Sequence, residues 1–221
     1  MDTHLLKHKV GHVFAQSQTI QHRLETWGRI PSEVLYPPPP FREYFTQGYD
    51  NFIFAVSRLH PLKRMDLLVK AFTHVRDKNI RAVIIGEGPE RDRLIRLVRE
   101  KGLDHRISLP GLCDETTVLD HFARCRAVYF APLGEDYGFV TGEAFSSRKA
   151  VITTQDSGGP AEQVSHGKTG YVVPPDSKKI AAAVDELADD AQKAEQMGNE
   201  ALLFITGLTW EKTVQRLLLL D

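Results

Sequence analysis

Short apolar runs at 52–56, 82–86, 107–109, 127–130, 150–153 and 171–173 alternate with helical periods, and this alternation constrains the fold more than any other feature of the chain. A strand with one wet face alternates apolar and polar residues; Phe52-Ile53-Phe54-Ala55-Val56 and Ala127-Val128-Tyr129-Phe130 do not. Strands of that kind are buried on both faces, which calls for helices above and below a parallel sheet. The intervening segments supply them: 65–75, 90–100, 116–123 and 140–147 carry apolar residues at helical spacing, and 160–164 makes a short turn. Such alternation predicts an α/β fold with a doubly wound parallel sheet. Ligands of such sheets bind outside the carboxyl ends of the strands, near the point where the winding reverses.

The flanks are organised differently. Residues 10–15 read as a short strand, 17–27 as a helix with Ile20, Leu24 and Trp27 in register, and 32–36 as another short strand. Pro37-Pro38-Pro39-Pro40 can continue neither a ladder nor a helix and forms a stiff extended segment. It reads as a linker, and a rigid surface loop is the alternative. Beyond 173 the chain is helical. Asp176 can cap a helix to about 190 with Ile180, Ala183, Val184 and Leu187 on one face; a second spans 191–205, and Thr209 can cap a last one, 210–219. The expected division is 1–36, a linker over 37–51, and a main unit over 52–221.

Composition excludes several functions. The formal charge of −1 provides no global field for nucleic acid or an anionic membrane, so any anion site must be local. Cys113 and Cys125 show no CxxC spacing and read as reduced thiols. No run approaches the ~20 apolar residues of a membrane span, and the first nine residues lack the apolar core of a signal peptide. A cytoplasmic protein is expected. There is no P-loop and no Gly-x-Ser-x-Gly turn.

Chemistry concentrates in the loops after the strands. Glu135 and Glu143 bracket a turn, Tyr137-Gly138-Phe139, between an apolar strand and a helix start. Backbone N–H groups at such a start face a ligand, and the two carboxylates can accept hydrogen bonds from a polyhydroxylated one, a sugar or a nucleotide carrying it. In Ser57-Arg58-Leu59-His60-Pro61-Leu62-Lys63-Arg64, Arg58 and Lys63 flank another helix start, an environment suited to a diphosphate; His60 sits where it can touch phosphate. Gly86-Glu87-Gly88-Pro89 reads equally as a truncated dinucleotide turn or a tight strand-to-helix turn. Leu109-Pro110-Gly111 can shape a slot for a base or be a plain turn. Asp156-Ser157-Gly158-Gly159-Pro160-Ala161-Glu162 is a further glycine turn with two carboxylates.

In this order the motifs, with Thr209-Trp210-Glu211 at the end, resemble the C-terminal, donor-binding half of the retaining GT-B glycosyltransferases of the group 1 family. The resemblance runs from about residue 52 to the end, and residues 11–45 resemble the stretch joining the two halves in that family. It implies a Rossmann-like domain binding a nucleotide diphosphate sugar, in an enzyme that transfers a hexose to a glycan, lipid or small-molecule acceptor, as in polysaccharide biosynthesis, with no metal or other cofactor. The implied catalytic residues are Arg58 and Lys63, holding the diphosphate and stabilising the departing charge, and Glu135, facing the hexose. Glu143 would accept from the ribose hydroxyls, amides of Gly138, Phe139 and Val140 would contact sugar or phosphate, and Gly86, Gly88, Leu109 and Pro110 would line the donor site.

Two departures from the family pattern stand out. Arg64 occupies a position where glycine is common, which is expected to leave diphosphate binding intact and to tune the donor. Nearly the whole acceptor domain is missing, so the chain alone is expected to bind nucleotide sugar and transfer little. The acceptor domain would come from elsewhere in a full protein or from another chain, any peripheral membrane association would belong to that half, and no nucleic acid is expected. The alternative is a non-catalytic nucleotide-sugar-binding subunit of a split glycosyltransferase.

Overall fold

A computed structural model describes residues 3–218. A short helix α1 (Thr3–His8) precedes two strands, β1 (Phe14–Ala15) and β2 (Glu33–Val34), which pair in parallel as a small separate sheet around helix α2 (Gln18–Arg23). The main sheet comes next, with β3 (Phe52–Val56), β4 (Arg81–Ile85), β5 (Ile107–Gly111), β6 (Ala127–Tyr129), β7 (Val151–Thr154) and β8 (Gly170–Val173) all parallel in the order β5-β4-β3-β6-β7-β8. The helices between and after them are α3 (Met65–Phe72), α4 (Arg91–Glu100), α5 (Glu115–Arg124), α6 (Phe139–Ser146), α7 (Gly159–Gln163), α8 (Ser177–Asp189), α9 (Ala191–Thr206) and α10 (Trp210–Leu217). The chain winds outward from β3 through β4 to β5, then returns to β6 beside β3 and winds the other way. The expected Rossmann-like sheet is present, with its winding reversal between β3 and β6.

Burial explains the unbroken apolar runs. Ile53 and Ala55 enter the core beneath α3, α4 and α8, whereas Phe54 enters the core beneath α5 and α6. Successive side chains of one strand therefore serve two cores, and neither face tolerates a polar residue. The helix caps match their residue types. Asp114, Asp176, Asp190 and Thr209 each accept a backbone N–H in the first turn of α5, α8, α9 and α10.

The expected helix over 17–27 is not one α-helix. It ends at Arg23 and passes into a wide π turn, Leu24–Gly28, which Arg29 closes in a left-handed conformation. Trp27 consequently lies 80% exposed while Ile30 turns inward. Residues 37–51 have no regular structure but are pinned to the main unit. The Tyr137 hydroxyl donates to the Pro37 carbonyl at 2.5 Å, Gln47 N–H to Ala123 at 2.8 Å and Asp50 N–H to Arg124 at 2.7 Å. Lys149, fully buried, donates to the Gly48 carbonyl and lies 3.8 Å from the Tyr49 ring centre.

Burial of phenols gives stability a definite pH dependence. All six tyrosines are raised above their ordinary value of 10.0, with desolvation the leading cause, and Tyr49 is pushed up to about 12. The folded chain therefore keeps protons that the unfolded chain loses above pH 10, and this stability is present below pH 10 and lost above it. Lys149 acts oppositely: burial lowers it from 10.5 to about 8, so its charge is a burden below pH 8 that is relieved as pH rises towards 10.5. Six groups outweigh one. The thermal unfolding midpoint, monitored by circular dichroism from pH 7 to 11, should hold or rise slightly to about pH 9–10 and fall steeply beyond it.

Candidate functional site

The loops after β3 and β6 leave neighbouring strands at the winding reversal and meet there. Leu133 N–H donates to the Leu62 carbonyl at 2.8 Å, joining them. Beside this link the Lys63 ammonium and the Glu135 carboxylate form an ion pair, 72 residues apart in sequence and with side chains 22% and 26% exposed. Lys63 also lies 5.7 Å from the Phe130 ring centre. The site is thus partly dry and open on one side. Arg58, in the same loop, is exposed and has no hydrogen bond or ion pair through its side chain among the described residues.

Glycines let these loops approach. A Cβ on Gly86 would lie 1.9 Å from the Ser57 carbonyl oxygen, and one on Gly88 would lie 2.3 Å from that of Leu59. The Gly-x-Gly turn therefore admits the loop that carries Arg58 and Lys63. Gly138, at φ 83°, starts α6 where a Cβ would strike Pro160 and Phe130, and it leaves the first amides of α6, from Phe139 and Val140 onward, at the helix end beside Glu135. Leu109 and Pro110 stand at the end of β5, joined to the β4 exit by Gly86 N–H donating to the Gly111 carbonyl at 2.9 Å. His60, read as able to touch phosphate, caps the turn before Lys63 through Nδ1, which accepts from Leu62 N–H at 3.3 Å.

Glu143 is buried in α6, and burial raises its carboxyl above the ordinary value against the opposing charge of Arg42. Its Oε1 accepts from Arg42 Nη1 at 2.6 Å. Glu143 and Glu135 thus have separate cationic partners and share no bond.

Arg64, expected to tune the donor, is built into the fold. Its backbone is left-handed, φ 50° and ψ 42°, a conformation that favours glycine. Its side chain turns into the fold, donating to the Ala131 and Pro132 carbonyls at 2.8 Å each, to Thr154 Oγ1 at 2.6 Å and to both oxygens of Asp156 at 2.8 Å. The guanidinium holds the Asp156 carboxyl below its usual range and ties together the exits of β3, β6 and β7. Arg64→Ala should lower unfolding free energy by about 2–4 kcal/mol in urea titration, because it strands a charge and several acceptors. Arg64→Gly, which relieves the backbone, should cost about 1 kcal/mol less.

The N-terminal segment grips the Glu135 loop from the other side. Ser17 Oγ donates to the Asp136 carbonyl, Arg23 pairs with Asp136, and Arg23 Nη2 donates to the Gly134 carbonyl at 2.8 Å. Glu162 accepts from Gln18 N–H at 2.8 Å and Thr19 N–H at 2.7 Å, holding the start of α2. The long-range contacts of Ser17, Arg23, Arg42 and Arg64 are not visible in the sequence, because these partners lie 65 or more residues away.

Among the described residues no helix is long and apolar enough to cross a membrane. The profile of the family "Glycosyl transferases group 1" matches residues 41–204. The chain is 33% identical over 175 residues to the GDP-mannose-dependent alpha-(1-6)-phosphatidylinositol monomannoside mannosyltransferase of Mycobacterium tuberculosis, covering 75% of this chain and 45% of that protein. It is 29% identical over 129 residues to the N-acetylgalactosamine-N,N'-diacetylbacillosaminyl-diphospho-undecaprenol 4-alpha-N-acetylgalactosaminyltransferase of Campylobacter jejuni, covering 58% of this chain and 34% of that protein. In three dimensions it is similar to a S. aureus TarM variant solved with fondaparinux, alpha-GlcNAc-glycerol and UDP, with TM-score 0.87 at 19% identity over 98% of this chain and 44% of that one. It is likewise similar to Anabaena HepE solved with UDP-glucose, with TM-score 0.83 at 21% identity over 99% of this chain and 66% of that one. The chain thus spans under half the length of these curated relatives, and a parallel sheet reversing at β3 and β6, the family profile over most of that sheet and the neighbours' shared GT-B fold together make it a member of the glycosyl transferases group 1 family.

Proposed function

We propose that this chain is the donor-binding part of a retaining glycosyltransferase that moves a hexose from a nucleotide diphosphate sugar to a glycan, lipid or small-molecule acceptor. The observation that carries this reading is the Lys63–Glu135 pair at the winding reversal, beside the start of α6. A bound diphosphate takes the ammonium of Lys63 and the free guanidinium of Arg58, and Glu135, released from Lys63, accepts hydroxyls of the hexose. Breaking the glycosidic bond builds negative charge on the departing diphosphate. Two cations and the α6 amides already in place stabilise that charge without reorganising, at roughly 10²–10³ in rate for each donor. This reading assigns charge neutralisation to Arg58 and Lys63 and asks for no metal ion. Gly86, Gly88, Leu109 and Pro110 line the nucleotide end, and Glu143 takes the ribose. Residues 52–221 form the donor unit, 37–51 its strap, and 1–36 the seat of the acceptor side.

A split enzyme is the second reading: the surface around the N-terminal segment calls for an acceptor-side unit, which a separate chain would supply as well as this polypeptide. Two strands of two residues do not make a stable parallel sheet by themselves. Beside them a groove of about 550 Å³, lined by Val13, Phe14, Ile20, Leu24, Trp27 and Ile30, faces outward. Trp210, Val214, Leu217 and Leu218 of the C-terminal segment are exposed too. An acceptor-side unit that continues this sheet, in the same polypeptide or another, covers them. The proposed location is the cytoplasm.

Titration of the chain with UDP-, GDP- and ADP-sugars, with Arg58→Ala and Lys63→Ala as controls, tests the donor site. At least one donor should bind, and both variants should weaken it; variants that bind like the parent would sink the reading. Co-purification with a separate acceptor-domain protein would select the split form.

A further inference from the structure

The strap after β2 reaches into the candidate site. Tyr137 holds Pro37, and Pro39 Cβ lies 3.4 Å from where a Cβ on Gly142 would be, so the proline run lies along α6. A stiff extended run sets the direction of the chain beyond it, and Arg42 stands two residues past its last proline. The Arg42 Nη1 is 2.6 Å from Glu143 Oε1, and its Nε is 2.8 Å from Oε1 of Glu115 at the start of α5. The two carboxylates differ: the Glu143 side chain is 9% exposed and that of Glu115 63%. A buried carboxylate that loses its cation needs another donor at once, whereas an exposed one has water. Two residues on, the Tyr44 hydroxyl is buried without a hydrogen-bond partner and feels the charges of Glu143, Arg42 and Glu115.

We propose that Arg42 sets donor affinity by competing for Glu143: it holds this carboxylate when no nucleotide is bound, and a ribose diol takes the carboxylate from it while the guanidinium stays with Glu115. The proposal rests on Glu143 being the ribose contact, as in the reading above. Binding is then an exchange, and the observed affinity falls by the fraction of chains whose Glu143 is already occupied. Glu115 makes the exchange feasible, because the guanidinium never leaves a carboxylate. A 2′-deoxy nucleotide brings one hydroxyl fewer and competes poorly.

Calorimetric titration of the chain with UDP, GDP and ADP, using whichever binds most tightly, tests this. Arg42→Gln should tighten binding roughly 2- to 5-fold, the range expected for removing a partly exposed competing pair. Glu115→Gln, at an exposed position that folding tolerates, should weaken it roughly 3- to 10-fold, because the displaced guanidinium loses its second partner. Glu143→Gln should weaken it roughly 10-fold or more. Binding by Arg42→Gln no tighter than the parent, with an unchanged unfolding midpoint, or binding by Glu115→Gln equal to the parent, overturns the competition. If Glu143→Gln still weakens binding in that case, the ribose assignment stands; if Glu143→Gln binds like the parent, the ribose assignment falls and the proposal with it.

Discussion

Lys63→Ala is expected to weaken binding of a nucleoside diphosphate by roughly 10- to 100-fold, and the loss should exceed that of Arg58→Ala. A charge-assisted hydrogen bond accounts for about 1.5–3 kcal/mol, but Lys63 does more than contact phosphate. It neutralises Glu135, its immediate partner. Removing the ammonium leaves that carboxylate facing an incoming diphosphate, so an attraction is replaced by a like-charge repulsion. Arg58 has no such partner among the described residues, and Arg58→Ala removes only its own attraction. The distinguishing measurement is a double-mutant cycle. Lys63→Ala combined with Glu135→Gln should recover part of the affinity lost in Lys63→Ala, giving a coupling of about 1–2 kcal/mol in calorimetric titration. Purely additive losses would show that the Lys63–Glu135 pair has no bearing on binding. The effects should shrink as salt rises from 50 to 500 mM, since the pair is partly exposed.

Gly86→Ala should produce the largest loss of stability among single changes at the site, about 3–5 kcal/mol. The residue sits at φ 143°, outside the range of L side chains, and its Cβ would lie 1.9 Å from the Ser57 carbonyl oxygen. Backbone strain accounts for about 1–3 kcal/mol; the remainder comes from driving the β3 loop away from the β4 exit, with its Ser57 N–H to Ile85 bond at 3.1 Å. Total stability of a domain this size is about 5–15 kcal/mol, so a fraction of the protein should unfold at 37 °C. The folded remainder should bind nucleotide poorly, because the displaced loop carries Arg58 and Lys63. Gly102→Ala is the control: its φ is also positive, at 63°, but nothing lies within 4 Å of the new Cβ. Urea titration should show a loss of about 1 kcal/mol there, and equal losses at the two glycines would mean that conformation, not crowding, governs both.

The main sheet was legible because its signal is local. Unbroken apolar runs reported burial on both faces, helical spacing reported the layers between them, and Asp176 and Thr209 marked helix starts through their own side-chain chemistry. Where local signals misled, a close approach intervened. The periodicity through Trp27 continued a helix that turns outward at Leu24–Gly28, and nothing near Arg64 in the sequence showed that its side chain faces inward to Asp156.

The sequence alone determined the parallel sheet, the glycine turns at its carboxyl edge, and two glutamates bracketing the start of α6, because each depends on residues close together along the chain. The tertiary structure decided which charges meet. Lys63 reaches Glu135 across 72 residues, Arg42 reaches Glu143 across 101, and Arg64 reaches Asp156 across 92. Spacing cannot encode such pairs, since a guanidinium or ammonium on a long side chain selects its carboxylate by distance and burial after the strands have stacked.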